Sequence, residues 1–339
     1  MTSYSKAHKN PQGPGDARPT AQQIIEDNNL TGHLSGKVAL ITGVSSGIGI
    51  ESARALKSTG MHVFGAVRNL EKARAALKDD LEPGHLELLE LDMNSLASVR
   101  ACAKEFLSKS NRLNVLVTNA GIMMTPEGKT ADSFELQFGT NHLAHFLLFK
   151  LLNPTLLASA TREFGSRVIC LSSVGHRGGA FDFSDADDIN FVNKPYDPVA
   201  AYAQSKLAAV YMVNEIERRF SSQHLHAFSV MPGGIWTGLQ ASLPEAVVST
   251  WQSDAEFQKA FKSTEQGAAT TVWGAVAKEL EGKGGMYLEN CAVAGPAPAP
   301  TGDPTVDMGA AGYAAWAFDE AKEGALWKMS CNMVGIDEV

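Results

Sequence analysis

A tyrosine and a lysine stand four residues apart in the stretch Tyr202-Ala-Gln-Ser-Lys206. In a helix, residues i and i+4 lie on one face, one turn apart. A free phenol titrates near pH ~10 and a free lysine near ~10.4, so neither exchanges protons readily at neutral pH. An ammonium held beside the phenol would lower the pKa of Tyr202. The spacing indicates a general acid or base, although an ordinary amphipathic helix can carry the same two residues.

A glycine-rich turn near the N-terminus could position a ligand against this pair. Residues 37–42 form a short, continuously apolar run, which is typical of a strand buried on both faces. The turn Gly43-Val-Ser-Ser-Gly47-Ile-Gly49 follows, and residues 50–59 predict an amphipathic helix. Glycines in this context let the backbone approach a pyrophosphate, and the helix N-terminus supplies N–H groups. A tight strand-to-helix turn without a ligand is the alternative.

The end of the second predicted strand, residues 62–67, bears on the choice of cofactor. In NAD-binding proteins an acidic residue usually follows this strand and holds the ribose 2′-hydroxyl. Here Arg68 and Asn69 follow it, without a carboxylate. A guanidinium fork fits a 2′-phosphate, so Arg68 favours NADP(H) over NAD(H). The alternative is that Arg68 is a solvated residue at the start of a helix.

Polar or small residues follow most of the remaining predicted strands, which are residues 86–91, 114–118, 167–171, 225–231 and 285–288. The residues after the first four of these strands are Asp92, Asn119-Ala-Gly121, Ser172-Ser173 and Pro232-Gly-Gly-Ile-Trp-Thr237. Because the carboxyl ends of parallel strands face the ligand crevice, these groups would line it. The carboxylate could accept from an adenine amino group or cap the next helix, and a serine could donate to a substrate carbonyl or cap a turn.

Strands and helices alternate along most of the chain. This alternation predicts a single α/β domain, residues 36–290, with a Rossmann-type doubly wound parallel sheet of seven strands and helices on both faces. Within it, residues 175–198 would form a rim of the substrate pocket. Residues 238–263 would form an apolar lid, for which helical core packing is the alternative.

Two segments flank the predicted domain. Residues 1–35 would form an N-terminal extension that is partly disordered or loosely attached and carries a short helix at 21–28. Residues 291–339 would form a Pro/Gly loop, followed by an amphipathic helix at 313–329 that docks on the domain.

Composition excludes several classes of function. The 339 residues carry a net charge of -8 without a basic patch, which argues against a nucleic-acid partner. The four cysteines lack metal-binding spacing and are expected to be free thiols in a reducing compartment. No metal site is expected at His142 and His145, because no third ligand accompanies them. Without a signal peptide or an uninterrupted apolar span, the expected localisation is cytoplasmic, with no membrane span.

The motifs, taken in order, resemble those of the short-chain dehydrogenase/reductase family. The residues that carry the resemblance are Thr42-Gly43-x3-Gly47-Ile-Gly49, Asp92, Asn119-Ala-Gly121, Asn141, Ser173, Tyr202-x3-Lys206 and Pro232-Gly233-x-Ile235-x-Thr237. The resemblance covers residues 36–288. The stretch Asn141-His-Leu-Ala-His-Phe146, the long Ser-to-Tyr insertion and Ser205-Lys-Leu-Ala208 are similar to the retinol-dehydrogenase-like branch. The extended termini are similar to its fungal members.

The resemblance implies a role for each of these residues. Tyr202 would be the general acid or base, and Lys206 would hold the nicotinamide ribose and lower the pKa of Tyr202. Ser173 would orient and polarise the substrate carbonyl, with Ser172 as the alternative. Asn141 would hold a water in a proton relay that ends at Lys206. The cofactor would contact Gly43, Ser45, Ser46, Gly47, Ile48, Gly49, Arg68, Asp92, Met93, Asn119, Ala120, Gly121, Tyr202, Lys206, Pro232, Gly233, Ile235 and Thr237.

The expected activity is NADPH-dependent reduction of a ketone or aldehyde. NAD(P)-dependent oxidation of a secondary alcohol, an isomerising or dehydrating variant and a non-catalytic NADP-binding sensor are the alternatives. A sensor has no need for an activated phenol, so the complete Asn, Ser, Tyr and Lys set argues against it. The aromatic residues of the rim and lid indicate a bulky, partly apolar substrate, with a role in secondary metabolism. Relatives often form homodimers through helices around 132–152 and 201–220, a surface that the C-terminal segment could block.

Overall fold

The computed structural model describes residues 4–299, 301–302, 307 and 309–338. Two predicted segments fall partly outside these residues. Residues 1–3 belong to the predicted loose N-terminus. Residues 300, 303–306 and 308 belong to the predicted Pro/Gly loop, and residue 339 ends the C-terminal segment.

One sheet organises the described residues, in the order β3-β2-β1-β4-β5-β6-β7-β8. Strands β1 to β7 are parallel, as predicted. Every residue of β1, β4 and β5 is buried, as expected for the central strands of a sheet that is covered on both faces. The strand order reverses between β1 and β4, which creates a crevice at their carboxyl ends. The strands are β1 Val38–Thr42, β2 His62–Val67, β3 Leu86–Glu90, β4 Val115–Thr118, β5 Ser166–Leu171, β6 Leu225–Met231, β7 Met286–Glu289 and β8 Ala292–Val293.

The eighth strand is a correction to the predicted seven. Strand β8 pairs antiparallel with β7 across a two-residue turn, Asn290 and Cys291. Both turn residues have positive φ, 54° and 53°, as a type I′ hairpin turn requires. Such turns usually carry Asn-Gly, so Asn-Cys does not reveal the hairpin in the sequence.

Helices cover both faces of the sheet, each over its own apolar core. Helices α4, α6, α8 and α13 pack on one face, and α1, α2 and α12 pack on the other. The helices are α1 Ala21–Asp27, α2 Ile48–Ser58, α3 Leu70–Ala76, α4 Leu96–Lys109, α5 Leu136–Phe138, α6 Ala144–Ser159, α7 Ala186–Ile189, α8 Pro198–Phe220, α9 Glu245–Ser253, α10 Ala255–Ala260, α11 Thr264–Gly267, α12 Ala269–Val276 and α13 Glu320–Val334.

The predicted C-terminal helix is displaced along the chain. It was placed at residues 313–329, but α13 is Glu320–Val334. The carboxylate of Asp319 accepts from the backbone N–H of Lys322, which sets the start of the helix. Trp327 packs in α13 with its ring centroid 5.0 Å from that of Phe146 and 6.1 Å from that of Phe149. This helix therefore covers α6 and α8, the surface through which relatives were expected to pair.

The N-terminal extension is packed on the domain in its described part. Arg18 is 3% exposed, and its guanidinium donates to the backbone carbonyls of Ala260, at 2.8 Å, and Phe261. The Gln266 side chain bonds the backbone of Gly15 and Arg18. The prediction of loose attachment is wrong here, because a buried guanidinium that is fully hydrogen-bonded holds the segment in place.

Candidate active site

Helix α8 carries the tyrosine and lysine pair. Asp197 caps it, accepting from the backbone N–H of Val199 at 2.9 Å, and Pro198 occupies the first helical position. Tyr202 and Lys206 are both 5% exposed, and the ammonium Nζ lies 5.6 Å from the centroid of the phenol ring. The predicted helix and the shared face of the pair are confirmed.

The two serines after β5 have different partners. Ser173 lies beside the phenol ring of Tyr202, because a Cβ on Gly175 would be 3.0 Å from Cε1 of Tyr202 and 3.4 Å from Oγ of Ser173. The Ser173 hydroxyl accepts from the backbone N–H of Gly175 at 3.1 Å, which caps the 3-10 turn Val174–Gly178. Ser172 is buried and donates to the backbone carbonyl of Lys206 at 2.8 Å. Ser173 therefore lies beside the phenol, while Ser172 ties β5 to α8.

The electrostatics of the pair differ from the expectation. Burial raises the pKa of Tyr202 to about 12, and the Ser173 side chain opposes part of that rise. Burial lowers the pKa of Lys206 to about 8. The ammonium of Lys206 donates to the backbone carbonyl of Leu171 at 3.0 Å. With its raised pKa, Tyr202 keeps its proton at neutral pH, as a proton donor must.

Asn141 lies in a π-helical turn, Gly139–Leu143, that joins α5 and α6. Its side chain is hydrogen-bonded at both ends. The amide nitrogen donates to the Ile122 carbonyl at 2.9 Å and to the Ser205 hydroxyl at 3.0 Å, and the amide oxygen accepts from the Ile122 N–H at 2.9 Å. The side chain of Asn141 therefore ties the π-helical turn to Ile122 and to Ser205 of α8.

His145 connects the main-chain carbonyl of Asn141 to the end of β1. Its Nδ1 lies 2.9 Å from the Asn141 carbonyl oxygen, and its Nε2 lies 2.9 Å from the hydroxyl of Thr42. The same hydroxyl accepts from the N–H groups of Asn119 and Ala120, so its own proton points to Nε2. Burial lowers the pKa of His145 to about 4, and the neutral ring donates from Nδ1 to Asn141.

The glycine turn is packed too closely to accept side chains at Gly43 and Gly49. A Cβ on Gly49 would lie 2.2 Å from the Gly43 carbonyl oxygen, and Gly43 has a φ of +79°. The N-cap of α2 is Gly47, which has no side chain to bond the N–H groups of the first turn. Those N–H groups and the positive end of α2 face the crevice, which fits the phosphates of a dinucleotide.

The remaining members of the turn lie beside the loop after β6. A Cβ on Gly47 would be 3.1 Å from Cγ2 of Thr237. A Cβ on Gly267 would be 2.8 Å from the Ile48 side chain and 2.6 Å from that of Ile235, so these isoleucines are neighbours. The fold therefore joins both halves of the predicted cofactor site. Ser45 is half-buried and Ser46 is exposed.

The turn after β4 is hydrogen-bonded to the end of β1 and to the glycine turn. The Asn119 amide donates to the carbonyls of Thr42 at 2.8 Å and Gly43 at 3.2 Å. A Cβ on Gly121 would lie 3.6 Å from Nζ of Lys206. This backbone therefore runs from the glycine turn to Lys206.

Asp92, Met93 and Arg68 were predicted to line the adenosine end of the cofactor site, and the structure places them in different environments. Asp92 accepts from the N–H of Asn94 at 3.0 Å, and Ser95, not Asp92, caps helix α4. Met93 is buried in the core. Arg68 is exposed, and within the described residues no hydrogen bond or ion pair engages its guanidinium.

A lysine that the sequence reasoning missed holds the loop after β6. Lys262 is 4% exposed, and its ammonium donates to the Pro232 carbonyl at 2.9 Å and to the Asn290 side chain at 2.9 Å. Gly233 follows Pro232 with a φ of +111°. A single lysine in a mixed segment gives no signal in the sequence, because its burial depends on three distant segments meeting.

The rim and the lid have distinct structures. In the predicted rim, His176 and Phe183 are fully buried, so part of it is core rather than pocket wall. The predicted lid contains α9 and α10, neither of which has a buried residue. Near its end Phe261 stacks on Trp236 with centroids 4.8 Å apart.

Within residues 4–299, 301–302, 307 and 309–338, no group of three His, Cys, Asp or Glu side chains is arranged to hold a metal ion. In the same residues, no helix has both the length and the apolar character that a membrane crossing requires.

A doubly wound sheet, a glycine turn at its switch point and a Ser-Tyr-Lys set define a nucleotide-dependent oxidoreductase. Residues 37–184 match the family model described as short chain dehydrogenase. Short-chain dehydrogenase/reductase prx1 of Penicillium roqueforti is 50% identical over 99% of this chain and 96% of its own. Human retinol dehydrogenase 13 is 35% identical over 90% of this chain and 86% of its own. The chain belongs to the short-chain dehydrogenase/reductase family.

A solved structure agrees with this assignment. An uncharacterised protein from Mycobacterium paratuberculosis superposes with a TM-score of 0.66 at 29% identity, covering 90% of this chain and 96% of that chain. The predicted family, its retinol-dehydrogenase-like branch, the likeness to fungal members and the Rossmann-type fold are confirmed. The chain is an oxidoreductase of a family that uses a nicotinamide cofactor.

Proposed function

We propose that this oxidoreductase is an NADPH-dependent carbonyl reductase that converts a ketone or aldehyde to an alcohol. The observation that carries the proposal is the placement of Ser173 and Lys206 beside a buried Tyr202 that keeps its proton at neutral pH. A reductase needs a proton donor at the developing alkoxide, and a phenol that is protonated at neutral pH has that proton to give.

The chain's own residues have separate tasks in this reaction. A bound nicotinamide supplies the hydride, which is the difficult part of the chemistry. Ser173 donates to the substrate oxygen and stabilises its negative charge. Tyr202 gives the proton from its hydroxyl to that oxygen. Lys206 places a positive charge near the ring of Tyr202. The Asn141 side chain holds the Ile122 backbone and the Ser205 hydroxyl in position.

Turnover by a Tyr202→Phe variant tests this assignment. Wild type should reduce members of a panel of bulky ketones and aldehydes with NADPH, and the variant should lose at least about 100-fold in kcat while it binds NADPH unchanged. Tyr211→Phe is the matched control, because this phenol on the same helix donates to the Trp316 carbonyl at 2.7 Å, away from the pair. Full activity of Tyr202→Phe would refute the role of Tyr202.

The same assay separates the competing activities. Secondary alcohols with NADP⁺ test the alternative that this protein is an alcohol dehydrogenase. The human relative is named as a dehydrogenase, which is the reason to include this test. A wild type that oxidises alcohols but reduces no carbonyl would refute the reductive direction. Cofactor binding without turnover of either panel would favour the sensor.

A preference for NADPH over NADH is part of the proposal. Arg68 stands at the carboxyl end of β2, where the adenosine ribose of a dinucleotide lies, and its guanidinium is exposed. Arg68→Ala should weaken NADPH binding by about 10-fold or more and leave NADH binding unchanged, since only NADPH has a 2′-phosphate. Arg74→Ala is the matched control on α3. Equal wild-type affinity for both cofactors would refute the preference.

The substrate is proposed to be bulky and partly apolar. Support comes from the aromatic side chains of the lid and the adjoining loop, where Trp251, Phe257 and Phe261 follow one another in ring contact at 5.7 and 5.3 Å, and Phe261 stacks on Trp236. A role in secondary metabolism remains a prediction. A cytoplasmic location is supported by four cysteines that are all free thiols.

A further inference from the structure

Lys262 is buried, and within the described part of the chain no carboxylate bonds its ammonium. The two acceptors of Nζ are neutral, the Pro232 carbonyl and the Asn290 side chain, each at 2.9 Å. Burying an ammonium is unfavourable unless its hydrogen bonds are well formed, so such a group needs a reason. Burial lowers the pKa of Lys262 to about 8. The backbone N–H of Lys262 also donates to the Gly234 carbonyl, in the loop after β6, at 2.8 Å.

The loop held by Lys262 begins beside Ser173, because the N–H of the next residue, Val174, donates to Sδ of Met231, the last residue of β6, at 3.1 Å. It follows β6, and its residues Ile235 and Thr237 contact or approach the glycine turn at Gly47 and Ile48. The ammonium stem lies against Gly233, where a Cβ would be 2.9 Å from Cδ of Lys262. A change in the position of Lys262 would therefore move this loop.

Arg18 of the N-terminal extension holds the backbone just before Lys262. Its guanidinium donates to the carbonyls at the C-terminus of α10, those of Lys259, Ala260 and Phe261. These carbonyls lack helical partners, so a cation there satisfies them and complements the helix dipole. Asp16 pairs with the same guanidinium at 2.8 Å.

We propose that Lys262 is a positioning residue for the nicotinamide end of the cofactor, and that Arg18 acts through it. This inference rests on the proposed NADP(H) site. Lys262 fixes the Pro232 carbonyl and the Gly233 backbone so that the loop contacts the nicotinamide side of the crevice. Arg18 fixes residues 259–261, which brings Lys262 to the loop. The N-terminal extension is thereby a functional part of the oxidoreductase domain.

Two probes separate positioning from general destabilisation. NADPH contacts the whole crevice, whereas adenosine 2′,5′-bisphosphate occupies only the adenosine end. In Lys262→Met, NADPH binding measured by calorimetry should weaken about 10-fold, the cost of one charge-assisted hydrogen bond, and binding of the adenosine fragment should be unchanged. Lys259→Met is the matched control, because the ammonium of Lys259 is exposed and pairs with Glu256 at 2.7 Å.

Arg18→Met provides the second variant. It should weaken NADPH binding in the same selective way, and adding it to Lys262→Met should have little further effect, because the two residues act in series. If Lys262→Met does not fold, Arg18→Met with the two probes decides the question. Unchanged NADPH affinity, or equal weakening of both probes, would overturn the proposal.

The wild-type titration tests the proposed cofactor separately from the positioning role of Lys262. A wild type that binds NADH and not NADPH would refute the NADP(H) proposal alone. In that case NADH and ADP-ribose replace the two probes, and a selective loss of NADH binding in Lys262→Met would still support the positioning role.

Discussion

Separate alanine substitutions of Ser172 and Ser173 should divide stability from turnover. The two hydroxyls are adjacent in sequence but have different partners. Ser172 donates to the Lys206 carbonyl at 2.8 Å, and Ser173 lies beside the Tyr202 phenol. Ser172→Ala should therefore reduce stability and keep activity, whereas Ser173→Ala should reduce activity and nearly keep stability.

The structure sets the size of each effect. Removing the Ser172 hydroxyl leaves the Lys206 carbonyl with its helical hydrogen bond, so the free energy of unfolding should fall by only about 1 kcal/mol. Removing the Ser173 hydroxyl takes away a donor aimed at the substrate oxygen, a loss of about 100-fold or more in kcat. It also removes the group that restrains the rise in the Tyr202 pKa.

Urea unfolding at pH 7 and steady-state kinetics with NADPH and the best carbonyl of the panel measure both effects. NADPH binding should be the same in the two variants, which controls for damage to the cofactor site. A larger loss of kcat in Ser172→Ala than in Ser173→Ala would refute the assignment, because Ser172 would then be the serine that acts on the substrate.

Two other predictions follow from buried groups. Burial lowers the pKa of His142 to about 3 and that of His145 to about 4, so the unfolded chain binds more protons below pH ~6.5 and stability is lost as the pH falls from there toward ~4. Each histidine should cost about 2 kcal/mol at pH 5, and equal urea midpoints at pH 5 and 7 would contradict this. Gly49→Ala should abolish NADPH binding, since its Cβ would lie 2.2 Å from the Gly43 carbonyl oxygen. Gly324→Ala, with open space around the new methyl, should bind normally in the same titration.

Elements with strong local signals were predictable from sequence. The apolar runs of β1 and β4 need no distant partner to be recognised, because a strand buried on both faces is largely apolar. The conformations of the glycine turn before α2 and of the Asp197-Pro198 start of α8 likewise depend on local residue types. Weak local signals failed: the two-residue turn before β8 and the start of α13 were missed or displaced.

The sequence by itself determined which groups could do chemistry, since Tyr202, Lys206 and Ser173 follow from residue type, spacing and strand ends. Only the tertiary structure decided between Ser172 and Ser173, because adjacent residues differ in their partners and not in their local pattern. Tertiary packing also gave Tyr202 a raised pKa rather than the lowered one that the spacing implied. Burial and hydrogen-bond partners come from segments far apart in the chain, and the burial of Lys262 among them is invisible in any single stretch.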